Sequence, residues 1–362
     1  MLKTKLSKFI LLTALMALVL SGCGLAVTST GSSSVAGSGG ATDGGVFKST
    51  NKGNNWQQQV SIQTVGRARN FAAADINALA LDPGDNQAIY AGSVANGLFY
   101  SYDSAASWQI AAGLSAATIN DVAVDPKNKC VIYLALDNKV LKSADCNRTL
   151  SEVYFDNDLT VKITALAIDQ TNSNNVFIGT SRGEIIKSSD AGSSWRTLNR
   201  FNGQVDKIAI NPFDAKIIFV SIDTKGVFRS MDAGATWVSL ADKLKAFDDI
   251  LRFRDLVLAK EEKMSVFLAT SYGLLKSTND GDTWSKIELI TPEKDAKINA
   301  LAVNRANAKE IYYVTNTTFY RSLDGGKNWT SKKLPTNRAG SAILIDPKDS
   351  ATIYLAAKKA KN

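Results

Sequence analysis

Eight side chains stand out as candidates for recognising a ligand. Guanidinium and ammonium groups bind anionic groups strongly, and a tyrosine adds a polar tip to an aromatic ring. We place all eight in loops that the repeat described below gathers on one face, where they predict a site for an acidic protein segment or an anionic sugar. Taken singly, each arginine is more simply a solvated loop charge, so the prediction rests on the set. The set is Arg67, Arg69, Arg182, Lys225, Arg252, Arg254, Tyr272 and Arg338.

Catalytic chemistry has less support. The sequence contains no histidine, which excludes serine or cysteine catalysis with a histidine base and zinc sites that need imidazole. A glycosidase needs two carboxylates roughly 5 to 9.5 Å apart. Four aspartates lie where a pair could form near a central channel, although the simpler interpretation of each is a turn or loop acid. They are Asp75, Asp206, Asp223 and Asp255.

Other classes of site have no motif in the sequence. We find no cysteine cluster, no calcium-binding loop and no glycine-rich phosphate loop between a strand and a helix, so we expect no metal and no cofactor. The formal charge is +8, and three of its lysines lie in the N-terminal segment. Without them 39 basic residues face 34 acidic ones, a dispersed charge of +5. We therefore expect no nucleic acid partner.

Residues 1–22 have the order of a secretory signal: Lys3, Lys5 and Lys8, an apolar run over 9–20, then small residues. The junction Leu20-Ser21-Gly22-Cys23 resembles the lipobox of bacterial lipoproteins. That resemblance implies that the Cys23 thiol is lipidated and that Cys23 becomes the first residue after cleavage. An ordinary secretory signal and an N-terminal membrane anchor are the alternatives.

Residues 23–45 are almost entirely small, with one charge at Asp43, which predicts a flexible linker between the lipidated Cys23 and a folded domain. We assign that domain to 46–357 and a solvated basic tail to 358–362, with weak attraction to anionic headgroups as the other interpretation. We therefore expect an exported protein, anchored by its lipid to the cell membrane or outer membrane. Gly24, in place of Asp, favours the outer membrane under the lipoprotein resemblance.

One octapeptide occurs seven times and organises the rest of the chain. Its copies begin at seven serines separated by 52, 42, 45, 42, 47 and 45 residues, and all six tryptophans of the protein stand at its last position. A period in the forties with short strands is typical of propeller blades. The serines are Ser49, Ser101, Ser143, Ser188, Ser230, Ser277 and Ser322.

Each period also holds a strand leading into a turn, a β-branched and aromatic run, a third strand and the residues after the octapeptide, which makes four strands per blade. The chain begins with a third and fourth strand and ends with a first and second. Because a lone two-stranded ribbon is marginal, these halves must combine. We predict an all-β, seven-bladed propeller of four-stranded antiparallel blades, whose closing blade is shared between the N-terminal and C-terminal strands.

The octapeptide pattern Ser-x-Asp-x-Gly-x-x-Trp is a hairpin-turn signature in which Asp or Asn accepts backbone N–H groups and Gly takes a positive φ. It closely resembles the Asp-box, or bacterial neuraminidase repeat, of sialidases, xyloglucanases, sortilin-type receptors and photosystem II assembly factors. The resemblance implies a propeller fold and a structural role for these residues, remote from any ligand site. They are Asn51, Trp56, Asp103, Trp108, Asp145, Asp190, Trp195, Asp232, Trp237, Asn279, Trp284, Asp324 and Trp329.

The third octapeptide departs from the pattern, with Asn147 for glycine and Leu150 for tryptophan. It also contains Cys146, and Cys130 lies shortly before it. A hairpin with residues 137–139 as its loop places these cysteines across from one another, which predicts a disulfide in an exported chain. Two buried free cysteines are the alternative.

Aligned entries of the first strands predict a mostly polar ring at the channel mouth, formed by Asn77, Asn120, Thr164, Asp206, Arg254, Asn299 and Ser341. The function we expect is a non-enzymatic, lipid-anchored binding or assembly scaffold, acting as a monomer on an unidentified protein or glycan. The alternative is a glycan-binding or glycoside hydrolase propeller. The sialidase resemblance is incomplete because the Arg-Ile-Pro start is missing, and xyloglucanases resemble two facing propellers where this chain can build one.

Overall fold

The structure is a computed structural model that describes residues 42–260 and 264–360. The predicted leader, the lipidation site Cys23 and most of the linker therefore lie outside the described residues. No helix of the described ranges is long and apolar enough to cross a membrane.

The regular secondary structure of the described residues consists of strands and one short helix, α1 (Ala241–Leu244). In chain order the strands are β1 (Gly45–Ser49), β2 (Gln57–Gln58), β3 (Ser61–Ile62), β4 (Arg69–Asn70), β5 (Ile76–Leu81), β6 (Ile89–Ser93), β7 (Leu98–Ser101), β8 (Gln109–Ile110), β9 (Asp121–Asp125), β10 (Asn128–Leu136), β11 (Lys139–Ser143), β12 (Ser151–Phe155), β13 (Ile163–Ile168), β14 (Val176–Thr180), β15 (Glu184–Ser188), β16 (Arg196–Arg200), β17 (Val205–Ile210), β18 (Ile218–Ile222), β19 (Gly226–Ser230), β20 (Val238–Ser239), β21 (Phe253–Lys260), β22 (Met264–Thr270), β23 (Leu274–Ser277), β24 (Ser285–Ile287), β25 (Ala300–Asn304), β26 (Asn307–Val314), β27 (Thr318–Ser322), β28 (Thr330–Lys333), β29 (Ala339–Ile345) and β30 (Ile353–Lys358).

Twenty-eight of these strands form a seven-bladed propeller of four-stranded antiparallel sheets, which confirms the predicted fold class, and β3 and β4 form a separate two-stranded sheet. The first strands contact one another in a closed cycle, so each blade packs between two neighbours. Blade 1 is β5 to β8, blade 2 is β9 to β12, blade 3 is β13 to β16, blade 4 is β17 to β20, blade 5 is β21 to β24, blade 6 is β25 to β28, and blade 7 combines β29, β30, β1 and β2.

The apolar core lies between the blades. Second strands such as β14 and β18 are buried at every residue, whereas the outer strand β28 is exposed at every residue. The β-branched and aromatic run of each period is therefore the strand covered on both faces by adjacent blades. This burial explains why that run is the most apolar part of the repeat.

Blade 7 joins the two ends of the chain. Strand β1 pairs with β30 over five residues, from Gly45 opposite Ala357 to Ser49 opposite Ile353. The boundaries predicted for the linker and the tail need correction here. Asp43 accepts the backbone N–H of Asn337 at 2.8 Å, and the Lys358 ammonium donates to Asn77 at 3.1 Å, so both residues belong to the folded domain.

Connections alternate between two faces of the ring. The octapeptide turns and the turns between first and second strands lie on what we call the turn face, and the other connections lie on the loop face. In every octapeptide the serine hydroxyl accepts the backbone N–H four residues on, and the Asp or Asn at the third position accepts the backbone N–H four residues beyond itself. The turn is therefore closed by its own side chains, as its residue pattern predicts.

The hairpin of β10 and β11 corrects the predicted turn by one residue. Leu136 pairs with Lys139, so the turn has two residues, with Asp137 at a positive φ of 44°. Cys130 and Cys146 are nevertheless joined by a disulfide. The contact arises because Cys146 lies in the octapeptide turn, where its backbone N–H donates to the Cys130 carbonyl at 3.2 Å.

Candidate functional site

The polar residues predicted at the channel mouth have an architectural role in much of the ring. A side chain of one blade donates to a carbonyl in, or just before, the first strand of the next blade at four consecutive seams, with distances of 2.6 to 3.2 Å. These bonds tie blade 7 through to blade 4 and leave those side chains unavailable to a ligand. The donors are Ser341, Asn77, Asn120 and Thr164.

Asp206 and Arg254 interrupt this series on blades 4 and 5. The Asp206 carboxylate accepts from the Gln204 amide at 2.9 Å, and the Arg254 guanidinium lies 3.4 Å from the Ser271 hydroxyl. A carboxylate cannot donate to a carbonyl, so the relay of donors stops at this point. The mouth of the channel is thus chemically different at blades 4 and 5.

Arg338 corrects the predicted binding face. Its side chain is only 5% exposed, and its guanidinium donates to the Asp75 carboxylate at 2.7 Å and to the carbonyls of Ala73 and Ala74 at 3.0 Å. Asp43 lies 3.5 Å away on the other side. Arg338 therefore fastens the first and last parts of the domain to each other instead of facing a partner.

Arg182 and Lys225 lie on the loop face but are engaged. Arg182 pairs with Glu184 at 2.7 Å and with Asp156 at 2.9 Å, and Glu184 is buried. The Lys225 ammonium donates to the Phe201 carbonyl at 2.8 Å. Both cations are therefore held by contacts within the chain, although Lys225 is exposed and the Arg182 side chain is 45% exposed.

Arg67 and Arg69 are both exposed. They belong to the hairpin of β3 and β4, in which Ile62 pairs with Trp108 at the start of the outer strand of blade 1. The Gln63 amide also donates to Ser107 of that octapeptide at 2.7 Å. This hairpin therefore covers the outer edge of blade 1 and does not extend the predicted face.

Arg252, Arg254 and Tyr272 come together on blade 5. The Ser271 N–H donates to the Arg252 carbonyl at 3.0 Å, and the Phe247 and Tyr272 rings lie 5.3 Å apart between centroids. Both arginines are exposed, and within the described ranges neither forms an ion pair. We call the residues 247–254 together with 270–273 the blade-5 loop surface.

A small cleft of about 190 Å³ adjoins this surface and includes Tyr272 and Glu293. The Lys286 ammonium lies 2.9 Å from both Glu288 and Glu293, and its hydrogen bond lowers the pKa of the Glu293 carboxyl. Burial and a hydrogen bond to Glu293 raise the pKa of Tyr272. A phenol with a raised pKa is protonated at neutral pH, so Tyr272 is a hydrogen-bond donor to Glu293 here. Glu293 was not identified from the sequence, because no spacing rule connects it to Tyr272.

The four candidate carboxylates divide into two groups. Asp75 is held by Arg338, and Asp255 is held by the Lys207 ammonium at 3.0 Å. Burial raises the pKa of Asp206, and the charge of Asp223 raises it further. Asp206 and Asp223 are thus the two candidate carboxylates that influence each other and that no cation holds within the described residues. No set of three or more acidic or thiol side chains able to hold a metal occurs in 42–260 and 264–360.

Comparisons with known proteins show the fold alone. The chain resembles a GH74 enzyme from Niastella koreensis, with 17% identity and a TM-score of 0.63 over 83% of this chain and 53% of that chain. It resembles a GH74 xyloglucanase from Xanthomonas campestris, with 18% identity and a TM-score of 0.62 over 79% and 51%. YCF48 bound to a D1 peptide matches at 14% identity and a TM-score of 0.59, over 78% and 93%.

The chain thus spans about half the length of the two GH74 enzymes and nearly all of YCF48. No family model matches this sequence, and no curated protein matches it. The shared propeller accommodates both hydrolases and a peptide-binding protein, so activity has to be argued from the side chains of this chain.

Proposed function

We propose that this protein is a non-enzymatic, lipid-anchored extracytoplasmic scaffold whose blade-5 loop surface binds an acidic segment of a partner protein. The observation that carries the proposal is that Arg252 and Arg254 are exposed and unpaired within the described residues, whereas Arg182, Lys225 and Arg338 are engaged. A guanidinium pair beside the aromatic rings of Phe247 and Tyr272 suits a carboxylate next to an apolar side chain.

The structure of YCF48 with a D1 peptide supports this choice of ligand class, because that protein has a propeller of similar extent. Export and anchoring through Cys23 rest on the leader sequence. In that arrangement the linker sets the distance between the propeller and the membrane, and the protein acts as a monomer.

A glycan-binding or glycosidase function is the second candidate, and Asp206 beside Asp223 is the observation in its favour. The GH74 enzymes supply a fold precedent over about half of their length. Hydrolysis of xyloglucan or of a sialoside by the purified protein, abolished by Asp206→Asn, would establish this function and overturn the scaffold proposal.

The scaffold proposal is tested by capture from solubilised membranes. The bait is the full-length protein, compared with R252E/R254E and with the matched double variant R67E/R69E, which changes the net charge equally. We expect one or more proteins to be recovered by the parent and by R67E/R69E, and recovery to fall at least tenfold with R252E/R254E. Equal recovery by all three baits would remove the blade-5 loop surface from consideration.

A further inference from the structure

Each blade carries one pair of side chains that face each other across its second and third strands. One partner is aromatic, and in six blades the other is a lysine or arginine. The pairs are Tyr90 with Tyr100, Tyr133 with Lys142, Phe177 with Lys187, Phe219 with Arg229, Phe267 with Lys276, Tyr312 with Arg321, and Tyr354 with Lys48.

At four seams the cation of this pair fastens its blade to the next one. Lys48, Lys142, Arg229 and Arg321 each donate to a carbonyl in the following octapeptide turn, at 2.6 to 2.9 Å. In blade 2 the Tyr133 hydroxyl donates to the same Ala191 carbonyl at 2.9 Å. Where the cation makes this bond, it joins the two adjacent blades across their seam.

Blade 3 lacks the bond. The Lys187 ammonium lies 5.1 Å from the centre of the Phe177 ring, and within the described residues it makes no hydrogen bond or ion pair. Phe177 cannot replace the tyrosine hydroxyl of blade 2. The following octapeptide turn contributes Ala233, which lines a cavity of about 320 Å³ together with Lys187.

The walls of this cavity combine aromatic surface with the Lys187 ammonium, and the exposed Asp214 and Lys216 also line it. Phe177 and the 63% exposed Phe213 supply apolar area on the two sides of the seam. The Asp169 carboxylate also borders the cavity, but it is buried and accepts from Thr171, Asn172 and Asn175 of its own turn. Asp169 is therefore held by its own turn, whereas the Lys187 ammonium has the Phe177 ring and the charge of Asp169 near it but no hydrogen-bond acceptor within the described residues.

We propose that the cavity between blades 3 and 4 is a binding site for a small organic carboxylate with an apolar or aromatic body, whose carboxylate pairs with Lys187. The volume of about 320 Å³ is large enough for a single substituted ring lying against Phe177 and Phe213. Burial lowers the pKa of Lys187, and Arg196 lowers it further. An anionic ligand would relieve both effects. The site lies on the turn face and is independent of the proposed partner surface.

The test is a titration of the purified full-length chain with benzoate, followed by saturation-transfer NMR of the benzoate ring protons. We expect saturable binding that weakens about tenfold or more in Lys187→Met, because a charge-assisted hydrogen bond is lost. Lys187→Arg should retain binding, and Lys142→Met, at the equivalent position of blade 2, should leave it unchanged. Uncharged benzamide should bind less tightly than benzoate.

No saturable benzoate signal with the parent chain would overturn the site. Binding by Lys187→Met equal to that of the parent would overturn it as well. Because Lys187→Arg keeps the charge and the packing, a loss of binding in both Lys187 variants together with a lowered melting temperature would show that the residue is structural and also contradict the proposal.

Discussion

At the scale of single residues, the carboxylates of the octapeptide turns accept hydrogen bonds from their own turns. Asp145, Asp190, Asp232 and Asp324 accept hydroxyl, amide and backbone N–H donors of their own turns, which lowers the pKa of each to about 2. In two other turns the same position is Asn51 or Asn279, with the same backbone bond. The hydrogen bond to the backbone, and not catalysis, therefore explains why Asp or Asn occupies the third position of the octapeptide.

These aspartates predict how the free energy of unfolding falls at acid pH. Their pKa in the folded state lies below the ordinary value of 3.8, so their contribution is complete above about pH 4 and is lost as the pH falls through about 2. Chemical denaturation across pH 6 to 2 should show this loss. The variant D190N/D232N should be less sensitive to acid, since an amide keeps the turn without titrating. An unchanged pH profile in that variant would contradict the assignment.

Among the arginines predicted for the binding face, Arg338 is the one whose substitution should lower the free energy of unfolding most. We expect Arg338→Met to lower the free energy of unfolding by about 3 kcal/mol, because Asp75 and Asp43 lose their buried partner. Arg252→Met, at an exposed arginine, should change it by no more than about 0.5 kcal/mol. Urea denaturation measures both. A similarly small change in the free energy of unfolding of the two variants would show that Arg338 does not hold the first and last parts of the domain together.

At the scale of the elements, the hairpin of β10 and β11 with its octapeptide turn has leucine in place of the usual tryptophan. The Cys130–Cys146 disulfide ends in the same octapeptide turn, four residues before that leucine, and has a sequence separation of 16. Closing a loop of this size stabilises a protein by about 3 kcal/mol. We expect C130S/C146S to lose about that amount in urea denaturation under oxidising conditions.

Reduction should lower the free energy of unfolding of the parent and leave that of C130S/C146S unchanged. Thiol titration of the unfolded, unreduced parent should detect neither Cys130 nor Cys146. Two reactive thiols in this region would show that the disulfide does not form in the protein as it is made.

Sequence patterns anticipated the blades better than the connections between them. Apolar periodicity predicted the second strands because both of their faces are buried, as in β14. The hairpin of β3 and β4 was missed, since its strands are two residues long and mostly exposed, which leaves no alternation to detect. The two-residue turn at Asp137 was missed by one residue because its positive φ is carried by an aspartate instead of a glycine.

The candidate site was predictable only in part, for the same reason. Exposed Arg252 and Arg254 follow from their place in a loop, whereas the burial of Arg338 depends on Asp43 and Asp75, which are distant in sequence. Local residue types carry no information about such partners. A loop arginine therefore becomes a candidate for binding only after its long-range contacts are known.

At the scale of the whole molecule, closure of the ring depends on β1 pairing with β30. A chain that begins at residue 59 should therefore have a melting temperature well below that of the full chain, because β30 loses its neighbour and blade 7 keeps only two of its four strands. Adding a synthetic peptide of residues 42–58 should raise the melting temperature, whereas a scrambled peptide should not. Full stability of the truncated chain without peptide would show that closure contributes little.

The claim that this propeller works by binding, through the blade-5 loop surface, is tested most directly by hydrogen–deuterium exchange of the full-length chain with and without the protein it captures from membranes. The account predicts protection of amides in 247–254 and 270–273, and none in the hairpin 61–70. Protection of the hairpin with an unchanged blade-5 loop surface would contradict it.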